Sequence, residues 1–244
     1  MGVRGLFHSK RGVIPACDVY DLQTFRRLIE ATYDLEGIVG YKLGALLGLT
    51  YGLPRVINII HQYTDLPVIY DHQKAGTDIP QLGEKFASTC ADAGIAGVIL
   101  FPQAGPQTEA AFIDALFEKK LVPLVGGEMT HLQYLTHDGG FIRDDAPVEI
   151  YTLAAEKGVN HFILPGTRPA VIKRYHILLS GLVQEPEYSM PGIGKQGGDI
   201  TSAFHALEGA PAYAIIGASI YEQKDMASAA RRFCAEALGT TNRE

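Results

Sequence analysis

Short apolar runs suited to buried strands alternate with stretches of helical spacing along almost the whole chain, and this recurrence limits what the 244 residues can fold into. The runs fall at 13–18, 38–44, 67–71, 97–101, 121–125, 161–165, 188–191 and 212–217, the seventh being the weakest. Between and after them, helices are expected at 21–29, 53–61, 80–93, 108–118, 147–157, 169–179 and 225–238, with Asp21 as the N-cap of the first. About eight strand-helix units at βαβ spacing, with no linker, low-complexity segment or detailed repeat, predict an α/β fold, a single (β/α)8 TIM barrel spanning 1–244. A doubly wound sheet fits less well, because the strand count is high and no dinucleotide fingerprint is present. The link between the fifth strand and the helix at 147 is the longest in the chain, and long loops of this kind often act as lids.

In such a barrel the chemistry sits at the C-terminal ends of the strands. Asp18, Lys42, Asp71 with Lys74, Glu128 with Thr130, and Thr167 with Arg168 all fall at strand ends. Lys42 lies within an apolar strand and so needs a counter-ion. Asp71, Lys74 and Asp78 alternate in sign within eight residues, close enough for the two carboxylates to hold one ammonium charged and orient it as a proton donor. The same pattern also suits a solvated βα loop tied by structural ion pairs. The loop from Pro191 to Gly198 can bring backbone N–H groups, Gly197 among them, close to an anion, and Gly217 with Ala218 can add more after the last strand. Its spacing is not that of a P-loop.

Composition narrows the partners. A formal net charge of −6 with dispersed lysines and arginines argues against nucleic acid, while a small anion needs only a local positive site. Cys17, Cys90 and Cys234 are odd in number and show no C-x-x-C spacing, so buried free thiols are expected rather than disulfides or structural zinc. The histidines, among them His61, His72, His131 and His137, show no metal-ligand spacing, and no metal is expected. Without a signal-like start or a membrane-length apolar run, the expected location is the cytoplasm, away from membranes.

Several segments together resemble the orotidine 5'-phosphate decarboxylase family over roughly 13–221. Met190-Pro191-Gly192-Ile193-Gly194-Lys195-Gln196-Gly197-Gly198-Asp199 is similar to that family's P-G-I-G-x-Q-G-G-D loop. Lys42-Leu43-Gly44 matches its K-x-G, Glu128-Met129-Thr130-His131 stands in place of its E-M-S-H, and Ile216-Gly217-Ala218-Ser219-Ile220-Tyr221 in place of its I-G-R-S-I-Y. The resemblance implies cofactor-free decarboxylation of orotidine 5'-phosphate (OMP) to uridine 5'-phosphate (UMP), in pyrimidine biosynthesis, on a homodimeric barrel. It implies a catalytic network of Lys42, Asp71, Lys74 and Asp78, with Lys74 protonating C6 and Asp78 reaching the partner subunit's site. It also implies that Asp18 contacts the ribose, Thr130 the pyrimidine and Gln196 the phosphate end, with Pro191, Lys195, Gly197, Gly217 and Ala218 completing the substrate-binding set.

The chain departs from that pattern twice. The family spacing D-x-K-x-x-D is lengthened to Asp71-x-x-Lys74-x-x-x-Asp78, and Ala218 stands where the family carries a phosphate-gripping arginine. Lys195 could return the charge there, as a point charge without a guanidinium fork. Two other functions compete: a related barrel lyase acting on a phosphorylated sugar, with magnesium bound through Glu128 and nearby carboxylates, and a non-catalytic nucleotide-binding paralogue.

Overall fold

The computed structural model describes residues 5–72 and 75–239. Eight strands form one parallel sheet: β1 (Arg11–Pro15), β2 (Tyr41–Gly44), β3 (Val68–Asp71), β4 (Gly97–Leu100), β5 (Val122–Gly126), β6 (His161–Ile163), β7 (Glu187–Met190) and β8 (Ala212–Ile216). They hydrogen-bond in the order β1-β8-β7-β6-β5-β4-β3-β2. The remaining seam is stitched by the pairings Val13 with Ile38 and Ala16 with Lys42, and by the Cys17 N–H donating to the Lys42 carbonyl at 2.9 Å. The sheet thereby curls into the predicted barrel.

The helices α1 (Leu22–Thr32), α2 (Ala45–Tyr51), α3 (Leu53–Ile60), α4 (Gly83–Asp92), α5 (Pro106–Glu118), α6 (Ala146–Glu156), α7 (Pro169–Leu182), α8 (Ile200–His205), α9 (Ala218–Tyr221) and α10 (Met226–Leu238) connect and follow the strands. Asp21 caps α1 as expected, its Oδ1 accepting from the Thr24 N–H at 2.7 Å. The helix expected over 80–93 starts as a 3-10 turn at Pro80–Leu82 before α4. Three short helices, α2, α8 and α9, go beyond the sequence reading. No helix among the described residues is long and apolar enough to cross a membrane.

Strand alternation sorts the side chains into two cores. Val13, Cys17, Leu43, Val68, Tyr70, Val98 and Val125 face outward to the helices. Ile14, Ala16, Ile69, Ile99, Leu124, Ile163, Tyr213 and Ile215 fill the lumen. The lower lumen is closed by Phe7, whose ring lies 4.5 Å from Tyr213 and 5.7 Å from His161, centroid to centroid. Below the strand ends the lumen polar groups pair with one another, His161 lying 2.9 Å from Ser189 Oγ and the Tyr213 hydroxyl donating to Glu187 at 3.1 Å, so the open end of the lumen is above the strands. The three cysteines are buried free thiols.

Candidate active site

The alternation that sends Leu43 and Tyr70 outward sends Lys42 and Asp71 inward, and continuing it past β1 turns Asp18 inward as well. The three meet at the top of the lumen. Lys42 Nζ lies 3.0 Å from Asp18 Oδ2 and 2.9 Å from Asp71 Oδ2, which supplies the counter-ion its strand position demands. The Lys42 and Asp71 side chains are 8% and 11% exposed, and Asp18 is 38% exposed. Burial pulls the Lys42 ammonium toward easier proton loss, but the charges of Asp71 and Asp18 outweigh it and hold the group above the ordinary lysine range. A Cβ on Gly44 would collide with Asp18 Oδ1, so the residue after Lys42-Leu43 must be glycine for the carboxylate to sit where it does. The other oxygen of Asp71, Oδ1, is buried with no hydrogen-bond partner among the described residues.

These groups line a cavity of about 280 Å³ at the C-terminal ends of the strands. Ile99, Phe101, Ile163 and Ile215 give it an apolar floor, and Thr130, Pro191, Lys195, Gln196, Gly217 and Ala218 from the substrate-binding expectation lie in its wall. Gly197 stands just outside that lining, in the same loop. Thr130 Oγ1 donates to Gln196 Oε1 at 3.3 Å, joining the loop after β5 to the one after β7. The latter turns tightly through Gly194, at a φ of +86° that L side chains rarely adopt, and the Lys195 N–H donates to Ser219 Oγ at 2.8 Å. Lys195 Nζ is 2.5 Å from Glu222 Oε2.

Glu128 is 2% exposed at the end of β5 and lines the same cavity. Arg168 Nη1 donates to its Oε1 at 2.5 Å, and Arg174 Nη2 at 3.3 Å and the Tyr175 hydroxyl both donate to its Oε2. Both carboxylate oxygens are thus already taken by cationic or phenolic donors. That does not fit the magnesium site considered at Glu128, and it makes this residue a tie between β5 and the Arg168 loop. Sequence placed Glu128 and Arg168 separately at strand ends, but a partnership across 40 residues has no local signal.

Asp78 stands apart from the cluster of Asp18, Lys42 and Asp71. It does not line the cavity of its own chain; it borders a second cleft with His72, Lys85 and Phe86, and its Oδ1 accepts from the Ile79 N–H at 2.7 Å. Ala75 is held on the strand-end side, its carbonyl accepting from the Phe101 N–H at 3.1 Å, and Asp71 lines the first cavity while Asp78 borders the second. Among the described residues, the buried lysine that two carboxylates flank is Lys42. Lys74 lies outside the described residues. Cys17, beside Asp18, is driven far above the ordinary thiol range by burial and then by the Asp18 charge, so it is no nucleophile. No group of three or more His, Cys, Asp or Glu side chains among the described residues is arranged to hold a metal ion.

A parallel βα barrel carrying a buried Lys-Asp cluster in a cavity above its strand ends has the architecture of a barrel enzyme. The model of the orotidine 5'-phosphate decarboxylase / HUMPS family matches residues 12–233. The chain belongs to that family. Orotidine 5'-phosphate decarboxylase of Thermococcus kodakarensis is 30% identical, with 93% of this chain and 96% of that protein covered, and that of Methanococcoides burtonii is 28% identical, with 93% and 98% covered. Among solved structures, orotidine 5'-phosphate decarboxylase from Pyrococcus horikoshii superposes with a TM-score of 0.76 at 26% identity, covering 93% of this chain and 99% of that one. The Methanocaldococcus jannaschii enzyme complexed with the inhibitor BMP shares the fold with a TM-score of 0.80 at 24% identity, covering 93% and 98%.

Proposed function

We propose that this chain decarboxylates OMP to UMP without a metal or organic cofactor. The observation that carries the reading is the Lys42 ammonium clamped between Asp18 and Asp71 above the apolar floor of the strand-end cavity. Family membership and relatives named for this activity support it.

Breaking the C6–carboxylate bond leaves an electron pair on C6 and releases carbon dioxide. The pair needs a fixed positive field while it forms and a proton when it has formed. Lys42 suits the first need: it stays charged across the neutral range and cannot move without stranding two carboxylates. Lys74 would meet the second by giving an ammonium proton to C6 and recovering one from water. Asp71, beside the departing carboxylate, would add local repulsion in the ground state. Asp18, the more exposed carboxylate, would take the ribose hydroxyls. Thr130 would meet the pyrimidine, and Gln196 with Pro191, Lys195, Gly197, Gly217 and Ala218 would surround the phosphate end. Asp78, turned out of its own cavity, would complete the site of a partner subunit in a homodimer.

Purified enzyme mixed with OMP in the presence of a chelator should yield UMP and carbon dioxide in equal amounts, with a deuteron at C6 when the solvent is deuterium oxide. Absence of UMP, with turnover of a phosphorylated sugar that depends on magnesium, would replace this reading with the sugar-phosphate lyase. Tight UMP binding with no turnover of either substrate would mark a non-catalytic paralogue.

A further inference from the structure

We infer that Lys195 and Glu222 form an exchangeable latch at the anion end of the cavity: an incoming phosphoryl group takes the Lys195 ammonium from Glu222, and Glu222 sets how tightly that group is held. The inference deepens the nucleotide reading above and rests on it.

Two cationic side chains line the cavity among the described residues, Lys42 and Lys195. Lys42 is buried and held by two carboxylates, so no ligand can draw it away without leaving charges stranded. Lys195 is the opposite case. Its side chain is 63% exposed and that of its partner Glu222 is 49% exposed, and an ion pair so well hydrated contributes little and separates easily. A doubly charged phosphoryl group is a stronger partner for an ammonium than one exposed carboxylate, so the exchange runs toward the ligand.

The backbone confines the motion to the side chains. The Lys195 N–H is anchored on Ser219 Oγ at 2.8 Å, and the Glu222 N–H on the Ala218 carbonyl at 3.1 Å, so both ends of the pair hang from the α9 turn. Ala218, Ser219 and Tyr221 of that turn line the cavity with Lys195. An anion that reaches the Lys195 ammonium therefore comes close to the Glu222 carboxylate, which opposes it twice, by holding the lysine and by like-charge repulsion. Glu222 lowers affinity for phosphorylated ligands and speeds their departure, and it is indifferent to an unphosphorylated nucleoside.

Calorimetric titration of UMP and of uridine into wild type, Lys195→Ala, Glu222→Gln and the double variant tests this. Loss of one charge-assisted contact in Lys195→Ala should weaken UMP about 10-fold or more. Glu222→Gln should tighten UMP by roughly 2- to 5-fold, a gain that shrinks in the Lys195→Ala background, where there is no ammonium to release. Uridine affinity should stay the same in all four proteins. Weakening of UMP and uridine alike by Lys195→Ala, unchanged UMP affinity in that variant, or weaker UMP binding in Glu222→Gln would each overturn the latch while leaving the nucleotide reading intact. No UMP binding by wild type would overturn both.

Discussion

Replacing Lys42 by alanine should cost the protein stability as well as activity, and the size of the loss follows from what the ammonium leaves behind. Asp71 is 11% exposed, and one of its oxygens already lacks a hydrogen-bond partner among the described residues. Removing one partner of a buried ion pair costs about 3–5 kcal/mol, because the other charge stays desolvated. Asp18, at 38% exposure, can recover water, so the lower half of that range applies. For a domain of this size each kcal/mol moves Tm by about 2–4 °C, so a fall of roughly 6–16 °C at pH 8 is expected. The double variant Lys42→Met with Asp71→Asn should regain most of the lost stability but none of the activity, since it removes both halves of the buried pair. The assay is urea and thermal unfolding at pH 8. A Lys42→Ala protein as stable as wild type at pH 8 would refute the reasoning, because Asp71 could then not be the desolvated partner described.

Two further outcomes follow from other parts of the barrel. A Cβ at Gly126 would overlap the Phe101 ring at the cavity floor, so Gly126→Ala should destabilise by about 1–3 kcal/mol, read from the urea midpoint, and Phe101→Leu in the same chain should relieve part of that loss. Glu109, 2% exposed on α5, has its carboxyl pushed by burial from 4.5 up to about 8. Between those values the folded chain holds a proton that the unfolded chain has lost, so this group makes stability fall as pH rises, by about 1.4 kcal/mol per pH unit within the window. Glu109→Gln removes that slope, and its stability relative to wild type should rise between pH 5 and pH 8; a constant offset would contradict the assignment.

The barrel was legible because its signal is local. Each strand is a short apolar run and each following helix has its own spacing, so the order of elements and the placing of Asp18, Lys42 and Asp71 at strand ends needed no long-range information. The need of Lys42 for a counter-ion was also readable, since an ammonium in an apolar strand cannot stand alone. The helix α2 was not: Leu46 and Leu49 point to solvent at 41% and 80% exposure, which blurs the periodicity that marks an amphipathic segment. The helices α8 and α9, at 6 and 4 residues, are too short to show a period at all. The partners of Glu128 lie 40–47 residues away, and Glu222 lies 27 from Lys195, separations that only the closed barrel converts into contact. Asp78 borders a different cleft from Asp71 although only seven positions separate them, a placement that sequence spacing alone does not reveal.

The most direct test of the account is the loss of OMP absorbance with wild type, Lys74→Ala and Asp71→Asn, all in chelator. The account predicts metal-independent turnover in wild type that falls by several orders of magnitude in Lys74→Ala, with UMP still bound. Turnover in Lys74→Ala equal to wild type would contradict the assignment of the proton donor, and no turnover by wild type would contradict the decarboxylase itself.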